Sequence, residues 1–143
     1  MFTPASPLQI PAGPVTAYFL NGEWFPNDRR PAPEPGDEPR FRDSPILRTV
    51  AVPPSLAADC REIIADVESY GGDPARCFIP RHGLSFAADD GSSTDVLICF
   101  QCHSLYFFQG EGRELFALTE RTMQRLGVFF SLFGPITTPH TFP

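Results

Sequence analysis

Proline placement constrains this chain more than any other feature. Most of the seventeen prolines in its 143 residues lie before Ser55 or after Gly134. A proline ring fixes φ and removes a backbone donor, so proline-dense segments favour extended, solvated backbone and cannot build a core. Regular structure is therefore expected mainly between residues 46 and 134. That stretch has room for one hydrophobic core, and about two fifths of the whole chain is hydrophobic.

One strong signal falls outside it. Asn21-Gly22 sits between Tyr18-Phe19-Leu20 and Glu23-Trp24-Phe25, a pattern that predicts a β-hairpin with a type I′ turn. A lone hairpin is marginal in water, so its aromatics are expected to dock on the main domain or on a partner. Pro26 to Pro45, with Pro31, Pro33, Pro35 and Pro39 between, reads as a linker or surface strap.

Within the central stretch, Ile46 to Val52 predicts a strand stopped by Pro53-Pro54. Ser55 is placed to cap a helix whose apolar stripe is Leu56, Cys60, Ile63, Val67 and Tyr70, with Gly71-Gly72 as the stop. Short strands are expected at Leu84 to Ala88, Asp95 to Cys99 and Ser104 to Phe108. The turn cluster Asp89-Asp90-Gly91-Ser92-Ser93 separates the first two, and the second is apolar enough to be buried on both faces. A final helix from about Glu120 to Phe133 has Thr119 as its cap and Leu118 with Met123 as a hydrophobic staple. The predicted fold is α+β: one small domain of order β-α-β-β-β-α with an antiparallel meander, preceded by the hairpin and the Pro-rich linker. The implied organisation is 1–45 hairpin and linker, 46–134 core domain and 135–143 irregular tail.

The formal net charge of −6 argues against non-specific nucleic-acid binding, which needs clustered Lys and Arg, and against adhesion to anionic membranes. The N-terminal residues carry no basic or long apolar segment of the kind found in signal peptides. The expected location is a reducing cytoplasm, where cysteines are buried, metal-bound or redox-active rather than paired in stable disulfides.

Cys77, His82, Cys99 and Cys102 fall within one short stretch. A C-x-x-C turn lets two sulfurs converge on one ion, and tetrahedral zinc accepts three Cys and one His, so zinc is the cofactor this set would take. If Ala88 pairs near Asp95, antiparallel pairing sets Leu84 opposite Cys99 and His82 beside Gln101, gathering the four at one sheet edge. Other readings of the same residues remain open. Cys99 and Cys102 form a candidate redox dithiol, although a strand-to-strand setting supplies no helix N-terminus to activate a thiol. Cys99 with His82 as base is a candidate nucleophile that lacks an evident orienting group. Plain burial accounts for the same residues with no chemistry at all, and Cys60, on the apolar stripe, reads as a small buried hydrophobe. His103 is a reserve ligand, while Arg76 and Arg81 flank the region as surface cations or as anion binders.

The stretch Cys77-Phe78-Ile79-Pro80-Arg81-His82-Gly83, followed by Asp95-Val96-Leu97-Ile98-Cys99-Phe100-Gln101-Cys102, resembles a loose group of uncharacterised bacterial proteins that share the pattern C-F-x-P-x-H-G then D-x-x-I-C-F-x-C. The resemblance covers roughly a fifth of the chain, the same part to which the pairing argument applies. It implies that Cys77, His82, Cys99 and Cys102 travel as a set, and it brings no activity or substrate with it.

These observations favour a non-enzymatic binding or accessory protein acting through protein–protein contacts, with a structural zinc site. Tyr18, Phe19, Trp24 and the Phe-rich last helix offer apolar surface for a partner. A thiol-dependent redox protein using Cys99 and Cys102 is the alternative, and a small immunity or inhibitor protein is a third class that acidic charge permits.

Overall fold

The computed structural model describes residues 2–22, 39–74 and 78–134. Seven antiparallel strands form one sheet: β1 (Val15–Leu20), β2 (Arg40–Phe41), β3 (Ser44–Ala51), β4 (His82–Ala87), β5 (Ser93–Cys99), β6 (Ser104–Gln109) and β7 (Gly112–Ala117). Their spatial order is β2-β3-β1-β4-β5-β6-β7. Two helices, α1 (Pro54–Ala65) and α2 (Glu120–Ser131), complete the α+β fold. Neither is long and apolar enough to cross a membrane.

The meander expected from the sequence is present as β4-β5-β6 and continues into β7. Three features depart from expectation. Tyr18–Leu20 belongs to an interior strand, since β1 pairs with β3 on one side and β4 on the other. A boundary at residue 45 therefore cuts through the sheet. Trp24 and the second arm of the expected hairpin lie outside the described residues. The end of the proposed linker is also structured, with Arg40 opposite Pro45 and Phe41 opposite Ser44. Pro45 lies at the very start of β3, where proline is tolerated, and its carbonyl still accepts from the Asn21 N–H at 2.9 Å. Finally, β7 follows directly on the Gly110-Glu111 turn, where no strand was expected.

Helix α1 begins two residues earlier than the Ser55 cap implies, with Pro53 at the cap position. Pro54 occupies the first turn, where its missing N–H costs nothing, and no side chain caps the end. The helix stops at Ala65, and Val67–Ser69 forms a separate 3₁₀ turn capped by the Asp66 carboxylate. Tyr70 leaves the helix but stays buried, its hydroxyl donating to the Ile64 carbonyl at 2.6 Å. At α2 the expected cap is present, with the Thr122 N–H donating to Thr119 Oγ1 at 3.2 Å.

Alternation along the strands divides the core in two. One face of the sheet, with Phe19, Leu84, Val96, Ile98 and Leu105, packs beneath α1 and α2 through Ile64, Leu126 and Phe130. The other face carries Leu20, Leu97, Cys99, Tyr106 and Phe108 and is covered by Phe41 and Phe78. The apolar run in β5 is thus buried on both sides, as its sequence predicted.

Candidate functional site: the Cys99–Cys102 turn

Strand β5 ends at Cys99, and β6 begins at Ser104, its cross-strand partner. Four residues, Phe100 to His103, make the connection. His103 takes a left-handed conformation with φ of 51°, which reverses the chain and aims the preceding amides back toward β5. The Cys102 N–H donates to Cys99 Sγ at 3.2 Å. Phe100 anchors the turn toward the helices, its ring 4.9 Å from that of His82 and 6.2 Å from that of Phe130. Cys102 inserts on the opposite side, into the Phe78 and Tyr106 cluster. The turn is wedged into both halves of the core.

This setting changes the acidity of Cys99. A hydrogen bond from the Cys102 thiol, with further help from the backbone N–H groups of Ile79, Cys102 and Gln101, holds the Cys99 thiol down to about 7, against burial acting the other way. A helix N-terminus is one way to activate a thiol, and turn amides do the same work by pointing donors at sulfur. Cys60 provides the contrast. Buried under α1 with no such donors, it is pushed up to about 12 and reads as the buried hydrophobe expected.

The predicted four-residue set is only partly brought together. Cys99 and Cys102 are adjacent and buried. Cys77 lies outside the described residues, as does Arg76. His82 is on the wrong face for Cys99. The sheet pairs His82 with Ile98 and Leu84 with Val96, a slip of three positions from the expected register. Three is odd, so the slip exchanges the faces. The His82 ring accordingly sits among Phe19, Phe100 and Phe130 under α2, at 4.7–5.4 Å between ring centres, whereas Cys99 faces Phe78. Facing opposite sides of the sheet also removes His82 as a base for Cys99. Both His82 ring nitrogens are buried without a hydrogen-bond partner, and burial, with the neighbouring Arg81 charge, lowers the imidazole to about 3. It is a neutral core residue at ordinary pH. Among the described residues no group of three or more His, Cys, Asp or Glu side chains is placed to hold a metal ion.

The sequence leads one to expect Arg81 as a surface cation or an anion binder. It is instead buried, with Nη1 donating to Asn21 Oδ1 at 2.8 Å. Its backbone N–H donates to the Ile98 carbonyl, so it lies beside the Cys99 end of β5. The correct register would have revealed it, because the neighbour of a residue facing one side of a sheet faces the other.

The aromatic surplus expected for a partner is largely consumed internally. Phe19, Phe129 and Phe130 are core residues, and Tyr18 stacks on Phe41 at 4.2 Å. The large apolar side chains left exposed among the described residues are Leu47, Val128 and Leu132. No protein-family profile, curated protein or solved structure matches the chain.

Proposed function

We propose that the protein is a non-enzymatic binding or accessory protein that acts through protein–protein contacts, and that its Cys99–Cys102 turn anchors a structural zinc ion. The observation carrying the metal reading is the geometry of the turn, which folds Cys102 back so that its N–H donates to Cys99 Sγ at 3.2 Å and the two thiols lie together. Zinc binds the thiolate, and a buried sulfur already poised near 7 by surrounding donors gives up its proton at little cost. Cys102 supplies a second sulfur. Cys77, two positions before Ile79 in the sequence, is the natural third donor, while His82, which faces the other side of the sheet, is left out of the set. Burial of both thiols suits a structural role, since a closed site needs no access for substrate.

Metal analysis of the purified protein tests this. Zinc near one equivalent per chain is expected, lost in Cys99→Ser and Cys102→Ser and retained in His82→Leu, with a chelator lowering the unfolding temperature. A protein that purifies without zinc and is indifferent to chelator overturns the metal reading.

A second reading, a redox dithiol, is favoured by the same thiol-to-thiolate hydrogen bond. Cys99 would attack a disulfide-bearing partner, releasing one of its sulfurs as a thiolate, and Cys102 would then displace the other to close a Cys99–Cys102 disulfide. This route requires the turn to open, because both sulfurs are shielded from solvent. Iodoacetamide separates the two readings: native thiols that resist alkylation exclude the redox role.

A further inference from the structure

Helices α1 and α2 lie side by side over one face of the sheet, and a groove of about 440 Å³ runs between their outer sides. Its apolar part includes Leu56 from α1, Val128 from α2 and Leu132, the residue that caps the end of α2. Val128 and Leu132 are 64% and 58% exposed, and they account for two of the three large apolar side chains exposed among the described residues. Along α2, Arg125, Val128 and Leu132 recur at helical spacing, so one stripe presents a cation followed by two hydrophobes.

The two walls differ in charge. Asp59 and Glu62, three residues apart, make the α1 wall acidic, and Arg125 makes the α2 wall basic. The ion pair found among the described residues is Arg42 with Asp95, on the other side of the sheet. Asp59, Glu62 and Arg125 have no ion-pair partner there. The patch therefore offers hydrophobic area and unused charges of both signs, sorted onto opposite sides.

We propose that this groove is the contact surface of a symmetric homodimer. A two-fold axis running along the groove lays α1 of one copy over α2 of the other. Each Arg125 then meets the acidic wall of its partner, and Val128 and Leu132 are buried between the two helix layers. An isologous contact of this kind requires a self-complementary patch, and opposite charges on opposing walls satisfy that requirement. The proposal deepens the protein-contact part of the proposed function by naming a second copy as partner. It stands apart from the zinc reading, because the helices cover the face of the sheet opposite Cys99.

Sedimentation velocity on the full chain over a dilution series tests it. The wild-type protein should pass from the 15.8 kDa monomer to twice that mass as concentration rises, with or without chelator. Arg125→Glu alone, and Asp59→Arg with Glu62→Arg, should each remain monomeric, because each makes both walls alike in sign. An equimolar mixture of the two should dimerise again, because the charges become complementary between the two variants. Val128→Asp should weaken self-association about tenfold or more, with circular dichroism confirming that the fold is kept. A wild-type protein that stays monomeric throughout overturns the proposal, as does a dimer that survives the charge reversals or a mixture that fails to restore it. Loss of zinc with the dimer intact would count against the metal reading alone.

Discussion

Arg42 donates through Nε to Oδ2 of Asp95 at 2.9 Å, and its Nη2 lies 2.9 Å from the same oxygen in an ion pair. Ser85 Oγ donates to the other oxygen, Oδ1, at 2.7 Å. The pair ties the β2–β3 turn to the middle of β5 and places the Arg42 guanidinium over the Phe108 ring, 4.3 Å from its centre. The tie has something to offset. Arg42 and Asp43 both adopt left-handed backbone, with φ of 48° and 70°, a conformation that costs an L-residue roughly 1–2 kcal/mol and that a tight hairpin turn usually gives to Asn-Gly.

Replacing Asp95 by Ala should therefore do more than delete one surface ion pair. Asp95 is nearly enclosed, and its loss leaves Ser85 Oγ without its acceptor and the strained turn without its anchor. A loss of about 2 kcal/mol is expected, in line with hydrogen bonds to charged groups. Urea unfolding measures it. Arg42→Ala should cost a similar amount, and the double variant should cost clearly less than the sum of the two. Additive losses would mean that the pair contributes nothing of its own.

His82 predicts how stability depends on pH. Its folded-state value is lowered to about 3, from 6.5 for the free side chain. The sign follows from which state takes up the proton. Below 6.5 the unfolded chain binds it and the folded chain does not, so stability is complete above 6.5 and falls as pH drops from there toward 3. The slope due to this one group approaches about 1.4 kcal/mol per pH unit. His82→Leu removes the titration while keeping an apolar side chain among Phe19, Phe100 and Phe130. Between pH 7 and pH 5 the variant should lose less stability in urea than the wild type. Equal losses would show that His82 is not the group responsible.

The kinds of element were legible in the sequence because period-2 and helical patterns follow from backbone geometry. Register was not. The alternation of polar and apolar residues normally fixes which face a strand turns inward, but β5 is apolar on both faces and carries no such information. The hairpin turn set the register instead. The Ala88 N–H donates to the Ser92 carbonyl and Ala87 pairs with Ser93, so β5 begins two residues before Asp95. That slip is what separated His82 from Cys99. Strand β7 carries little strand signal in its sequence because its first residues, Gly112, Arg113 and Glu114, are exposed on a sheet edge, where charged residues are common. The C-x-x-C pair was readable, but the acidity of Cys99 was not, since it depends on where turn amides point.

The Cys102 thiol is the main cause of Cys99 acidity, so removing it should move the titration. In wild-type protein stripped of metal with a chelator, a thiolate absorbance near 240 nm should rise around pH 7, where the free Cys99 thiol ionises. In Cys102→Ala the midpoint should shift upward, with the turn amides still preventing a return to the full value for a buried thiol. Cys99→Ser should abolish the component near 7. Cys60 does not interfere, because burial pushes it up to about 12. A midpoint unchanged in Cys102→Ala would assign the effect to the backbone alone.

Gly83 is the point where the second core layer closes on the sheet. A Cβ built there would lie 2.6 Å from Phe41 Cε2 and 3.2 Å from the Val96 carbonyl oxygen. The Phe41 ring sits directly over the β4 backbone and stacks on Tyr18, the cross-strand partner of Gly83. Gly83→Ala adds a methyl group where no space exists, and overpacking of this kind costs about 1–3 kcal/mol. The ring must move, taking the short β2 strand with it. Phe41→Leu shortens the side chain at the point of conflict and has its own cost in lost stacking. In its background, Gly83→Ala should be much less damaging than in the wild type. That coupling, read from a urea double-mutant cycle, separates a steric clash with Phe41 from a general intolerance of side chains on β4. If the cost of Gly83→Ala is the same in both backgrounds, the Val96 carbonyl, and not the Phe41 ring, is what makes glycine necessary.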